Sequence, residues 1–226
     1  MYYDDKKAEV RPTNTFDNFE VQSEGQRLAF DLLSTLAEQV VAASQHIASI
    51  AQPFDEPSLL FLWGQPGRGK THLVEAFVNR IRVDAPEVYK RLIMSRGRFS
   101  SDFQSDFNSY GDAPIVIIDD MYHDMMRVSD LHPATEIKAF MRFITDLYDR
   151  RRMVIVTSNF PLIEGGIMEM VTKVDKIGRI TSRAAEVMSR VGEIELQGMD
   201  FRHELVRRRR QSPGRGFSIA LPGVGH

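Results

Sequence analysis

The sequence predicts an α/β fold, with a five-stranded parallel sheet flanked by helices. Three observations lead there. Short, continuous apolar runs alternate with stretches of helical periodicity, as in chains whose strands are buried on both faces. One of these runs leads directly into a Gly-rich loop that opens a helix. Two others end in polar residues, at the carboxyl edge where α/β sheets bind ligands.

The elements follow in chain order. Residues 24–51 are expected to form one long helix. Its apolar positions Ala29, Leu33, Leu36, Val40, Ala43, Ile47 and Ile50 recur at steps of three and four and build one stripe. Pro53 and Pro57 then stop it. Residues 58–63 (Ser-Leu-Leu-Phe-Leu-Trp) read as the first strand, and 71–83 as the helix after the Gly-rich loop. Residues 91–94 are expected to be a second, weaker strand, and 114–118 a third and the most hydrophobic. Residues 134–150 have helical spacing, with Phe140, Phe143, Ile144, Leu147 and Tyr148 facing inward. A fourth strand over 153–157, a helix over 181–190 and a fifth strand over 193–196 complete the pattern. Strands alternating with helices in this way imply parallel pairing.

Composition narrows the function. The chain has 226 residues, enough for one domain with a full core and too few for two. It has no cysteine, which excludes disulfides, thiolate metal sites and cysteine nucleophiles. The six histidines form no pair with metal-ligand spacing. No apolar run reaches the roughly 18 residues that span a bilayer, and the first residues lack the pattern of a signal peptide. A cytoplasmic location and no membrane partner are therefore expected. A net charge of −2 argues against a surface that coats nucleic acid, though not against a local basic patch. Residues 1–14 are expected to form a flexible arm, 15–210 the core, and 211–226 a Gly- and Pro-rich tail.

The chemistry starts at Gly64-Gln65-Pro66-Gly67-Arg68-Gly69-Lys70-Thr71, a complete phosphate-binding loop with strand before and helix after. The glycines let the backbone turn tightly and approach phosphate oxygens. The loop amides and the helix N-terminus then supply donors and a positive dipole end. Lys70 can reach the β- and γ-phosphates, and the Thr71 hydroxyl can ligate Mg²⁺. His72 is expected to line the nucleotide loop. This pattern is that of a P-loop NTPase that takes ATP with Mg²⁺.

A hydrolytic site also needs acids on a neighbouring strand. The run 115–118 ends in Asp119-Asp120. Asp119 is assigned to the metal shell through water, and Asp120 to orienting or deprotonating the attacking water. A turn with solvated charges is the alternative, and the complete loop weighs against it. A third strand end carries Thr157-Ser158-Asn159, whose amide can meet the γ-phosphate or the water, although Ser-Asn is also common turn material.

Taken in order, these residues resemble the AAA+ ATPases, and within them the DnaA/DnaC/IstB group of replication initiators and helicase loaders. Thr15-Phe16-Asp17-Asn18-Phe19 and Gln26-Arg27-Leu28-Ala29 look like the opening of that ATPase core. Asp119-Asp120 resembles its Walker B ending, and Thr157-Ser158-Asn159 its sensor 1, which makes Asn159 the sensing residue. Residues 178–183, Gly-Arg-Ile-Thr-Ser-Arg, resemble the segment ending in the arginine finger. By that match Arg183 is the finger, donated to ATP on a neighbouring subunit, and Arg190 is the second choice. The resemblance covers about residues 15–202. A second likeness, to the ZapE-like ATPases, rests on residues 60–71 and on Glu195-Leu196-Gln197-Gly198-Met199-Asp200-Phe201-Arg202.

The resemblance implies an ATP-hydrolysing protein that forms homo-oligomers around ATP, with a replicative helicase and single-stranded DNA as expected partners. Transposition helper and ZapE-like roles are the alternatives. Three departures qualify it. Few residues follow Arg202, so the C-terminal lid is expected to be absent or vestigial. The core begins near Thr15, so the helicase-gripping element that the loaders carry in an N-terminal domain is expected to be missing or supplied elsewhere. The DNA-touching insertion of initiators is shortened to residues 95–112, where Phe99, Phe103, Phe107 and Tyr110 either stack on bases or form a core face. Arg207 to Arg210 is either a phosphate-binding run or solvated surface. Met121, Met125, Met126, Met168 and Met170 are core filling by default and adaptable contact surface otherwise.

Overall fold

The computed structural model describes residues 9–45, 58–96, 113–121, 133–162, 186–187 and 190–201, with backbone alone for 133–140. Five parallel strands form one sheet: β1 (Ser58–Trp63), β2 (Ile93–Arg96), β3 (Ile115–Met121), β4 (Met153–Ser158) and β5 (Gly192–Glu195). Their order is β2-β3-β4-β1-β5. The helices are α1 (Glu24–Ser44), α2 (Lys70–Asp84), α3 (Pro86–Arg91) and α4 (Pro133–Asp149). The expected five-stranded parallel α/β sheet is present.

Strands β1 to β4 divide their apolar residues between two cores, because side chains alternate across a sheet. Leu60, Leu62, Met94, Ile117 and Ile155 meet α1, α2 and α3, together with Leu33, Phe77 and Ile81. Leu59, Phe61, Val116, Ile118, Val154 and Val156 face the other way, onto Met141, Phe143, Ile144 and Leu147 of α4. Of the inward positions expected on α4, Tyr148 is partly buried, and the Phe140 side chain lies outside the described atoms.

Several boundaries differ from expectation. Helix α1 ends at Ser44, short of residue 51. The Ser44 hydroxyl turns back to Val41 O at 2.6 Å, and the Gln45 amide bonds to Ala42 and Ala43 carbonyls. Ala43 is exposed, and Ala37 takes a place in the buried stripe; Ile47 and Ile50 lie outside the described residues. At its start, Ser23 caps α1 by accepting from the Gln26 amide, as N-cap serines do. Strand β2 begins two residues later than expected, since Pro86 nucleates the unforeseen α3 as its first helical residue. Strand β3 runs on through both aspartates instead of stopping at Ile118. Strand β5 starts and ends one residue earlier.

Residues 9–14, within the segment expected to be a loose arm, are tied to α2 and β2. The Asn79 amide donates to Arg11 O at 2.8 Å and Asn14 O at 2.7 Å, and Arg96 donates to Glu9 O at 3.0 Å. The Phe99, Phe103, Phe107 and Tyr110 aromatics, Arg207 to Arg210 and any lid lie outside the described residues, as do Met125, Met126, Met168 and Met170. Met121 is fully buried. Among the described residues, no helix is long and apolar enough to cross a membrane.

Candidate functional site

Strands β3, β4 and β1 are neighbours, so their carboxyl ends bring three sequence motifs to one edge. Strand β1 delivers the Gly-rich loop. Gly64, Gly67 and Gly69 have φ of 141°, 80° and 91°, in the region that disfavours side chains. Space excludes a side chain as well: a Cβ on Gly69 would lie 2.6 Å from the Phe19 ring, and one on Gly67 would strike the Asp200 carboxylate. Gly69 is also the N-cap of α2 and offers no side chain there, so the helix N-terminus is left to the loop.

Lys70 is buried. Its ammonium donates to Gly64 O at 2.5 Å, Gln65 O at 3.1 Å and Asn159 Oδ1 at 2.9 Å. The amide nitrogen of Asn159 in turn donates to Asp120 Oδ1 at 3.4 Å. Lysine, amide and carboxylate thus stand in a line across the ends of β1, β4 and β3.

A β-bulge presents the acid pair. Ile118 is in register with Val156 and Met121 with Ser158, so β3 carries one extra residue there. Asp120 adopts φ 58°, which Asp tolerates better than most residues. Thr157, fully buried, stitches the bulge. Its hydroxyl accepts from the Asp120 amide at 2.7 Å and donates to Asp119 Oδ1 at 2.7 Å. The Thr71 hydroxyl reaches the same Asp119 oxygen at 3.1 Å.

The other Asp119 oxygen, Oδ2, accepts from Arg96 Nε at 3.0 Å. Arg96 also donates to Glu75 Oε1 at 2.6 Å, and Asn14 donates to Glu75 Oε2 at 2.5 Å. Glu75 and Asp119 are both fully buried. Burial works to lower the Arg96 pKa, but the Glu75 hydrogen bond and the Asp119 charge outweigh it and hold the guanidinium above its ordinary range. Sequence reading missed Arg96, Glu75 and the bulge-stitching role of Thr157. The available signal for Arg96 was its place two residues past an apolar run, at the same sheet edge as Asp119, with which it is in register.

His72 follows Thr71, and its Nε2 lies 3.1 Å from Thr15 O and 3.0 Å from Asn18 Oδ1. Two acceptors require Nε2 to carry the proton. Burial lowers the His72 pKa despite the raising influence of Thr15 O and Glu75, so the ring is neutral at neutral pH. It therefore anchors residues 15–18 to α2.

The chain after β5 closes over the loop. Arg68 donates to Gly198 O, and the Phe201 amide donates to Gly67 O at 3.0 Å. Gln26, buried on α1, donates to Arg68 O at 3.0 Å. Pro66 is exposed in a turn of the loop. Arg183 falls outside the described residues. Arg190 is held within its own chain, with a nitrogen 2.7 Å from the Tyr148 hydroxyl and its guanidinium 5.9 Å from the ring centre.

The donor set fits a nucleotide with Mg²⁺. Three glycines at positive φ set the path of the loop, a buried ammonium donates to two of its carbonyls, and a hydroxyl and a buried carboxylate lie side by side. No group of three or more His, Cys, Asp or Glu capable of holding a metal ion occurs among the described residues.

Comparison with known proteins identifies the family. The chromosomal replication initiator protein DnaA of Enterococcus faecalis is 26% identical over 165 residues, which is 69% of this chain and 32% of that protein. The chain thus spans about a third of the length of the curated relatives it matches. Among solved structures, a replication initiator DnaA bound to AMPPCP and single-stranded DNA aligns with TM-score 0.55 and 19% identity, over 90% of this chain and 56% of that one. The crystal structure of DnaI aligns with TM-score 0.54 and 15% identity, over 84% of this chain and 91% of the other. These two likenesses speak for the fold. The model of the bacterial DnaA ATPase domain matches residues 10–164, more than half of the chain. The chain belongs to the bacterial DnaA ATPase-domain family.

Proposed function

We propose that this protein binds and hydrolyses ATP with Mg²⁺ and works in replication initiation or helicase loading. The observation that carries the proposal is the line Lys70–Asn159–Asp120 beside the Thr71–Asp119 pair, built from three adjacent strand ends. In this reading the loop 64–71 wraps the phosphates, and Lys70 exchanges its carbonyl partners for the β- and γ-phosphate oxygens. Thr71 and, through water, Asp119 hold Mg²⁺, which supplies charge neutralisation on the phosphates when bound. Asn159 fixes the Asp120 carboxylate while that group accepts a proton from the attacking water.

Arg183 is assigned as the finger that acts across a subunit boundary. The engagement of Arg190 with Tyr148 supports choosing Arg183 over it. Assembly is then a homo-oligomer with ATP between subunits, located in the cytoplasm. The initiator bound to single-stranded DNA among the fold relatives supports single-stranded DNA as a partner, and the resemblance of residues 15–202 to the helicase loaders is the ground for proposing a replicative helicase.

Asp120→Asn tests the hydrolytic assignment. Loss of a general base costs on the order of 10²–10⁴ in rate. The variant should bind ATP with wild-type affinity in equilibrium titration and release phosphate at that reduced rate. Wild-type release would remove Asp120 from the mechanism.

A further inference from the structure

The triad Glu75–Arg96–Asp119 sits directly behind the metal side of the site. Arg96 is the only cation that the described hydrogen bonds and ion pairs place on Asp119. It approaches Oδ2, while the Thr157 and Thr71 hydroxyls approach Oδ1. With donors on both oxygens the carboxylate has one orientation, and Oδ1 is kept beside Thr71. Arg96 is anchored well enough to impose that orientation. Glu75 holds it at 2.6 Å, and Glu9 O holds its third nitrogen at 3.0 Å.

A guanidinium beside a metal carboxylate has a cost. Its charge opposes a divalent cation at the same carboxylate. Glu75, fully buried on α2 one turn after Thr71, lies on the other side of Arg96 and cancels that charge. The triad therefore retains one net negative charge for the metal.

Resting on the Mg²⁺-nucleotide reading above, we propose that Arg96 is a positioning residue for Asp119, and that Glu75 sets the Mg²⁺ demand of the site by neutralising Arg96. Neither residue touches the nucleotide.

The test follows a fluorescent ATP analogue, N-methylanthraniloyl-ATP, binding to the full chain in EDTA and across a MgCl₂ series. Removing Arg96 alone would strand a buried Glu75 and endanger folding. The variants are therefore Glu75→Gln and the double Glu75→Gln, Arg96→Gln. Glu75→Gln should raise the Mg²⁺ midpoint about tenfold, since a full charge now opposes the ion, with unchanged affinity in EDTA. The double variant restores the charge balance and should bring the midpoint back to within about threefold of wild type. Its turnover at saturating Mg²⁺ should stay about tenfold low, since Asp119 is no longer clamped. A midpoint equal in all three proteins, with only the melting temperature changed, would reduce the triad to a strut between β2 and α2. A double variant as shifted as Glu75→Gln would refute the charge balance. Both outcomes presuppose a wild type that binds the analogue with Mg²⁺. A wild type that does not bind it overturns the nucleotide reading and this proposal together.

Discussion

Lys70→Ala is expected to abolish tight ATP binding. The ammonium is buried at the mouth of the loop and already donates to three oxygens there, two of them carbonyls that phosphate oxygens can replace. Charge-assisted hydrogen bonds contribute roughly 1.5–3 kcal/mol each. Loss of two, to the β- and γ-phosphates, weakens binding by about 10²–10⁴. The loop itself should survive, because Gln26, Phe201 and Arg68 tie it from two sides independently of Lys70. Equilibrium titration with a fluorescent ATP analogue checks the affinity, and circular dichroism checks the fold. Near-normal binding by a folded variant would mean that the nucleotide sits elsewhere.

Arg183→Ala carries the next largest effect, on rate and not on affinity. A finger stabilises charge that develops on the transferred phosphoryl group, so its loss spares the ground state. In other P-loop systems such a finger contributes on the order of 10³–10⁵ in turnover. Because Arg183 is assigned to the neighbour's site, turnover per wild-type subunit should rise with protein concentration. A mixture of Lys70→Ala and Arg183→Ala chains should regain activity at interfaces where one supplies the bound ATP and the other the finger. Absence of rescue, with activity independent of concentration, would place the finger's work within a single chain or remove it. Transfer of the Arg183→Ala phenotype to Arg190→Ala would instead identify Arg190 as the finger.

What the sequence revealed and what it hid divide along physical lines. Apolar strands such as 58–63 and 153–158 were legible because burial on both faces demands uninterrupted hydrophobicity. The loop 64–71 was legible because its spacing is tied to one backbone path, seen in the positive φ of Gly64, Gly67 and Gly69. The short α3 was hidden, since six residues carry too little periodicity and only Pro86 hints at its start. The end of α1 at Ser44 was hidden because apolar spacing continues past the last helical turn. The bulge at Asp119-Asp120 depends on pairing with β4, and no local pattern encodes it. The Arg96–Glu75–Asp119 triad joins three elements distant in sequence, so a single arginine at the end of a strand gave no sign of its partners. His72 was placed by adjacency to Thr71, yet the direction of its ring depends on Thr15 and Asn18, which fold back onto α2.

The loop 64–71 and the acids of β3 are proposed to form one Mg²⁺-dependent ATP site per chain. Calorimetric titration of the wild-type chain with a non-hydrolysable ATP analogue tests it most directly. Saturable binding with one site per chain in Mg²⁺, markedly weaker in EDTA, is the predicted result. Absence of binding with Mg²⁺ present, by a folded protein, would contradict it.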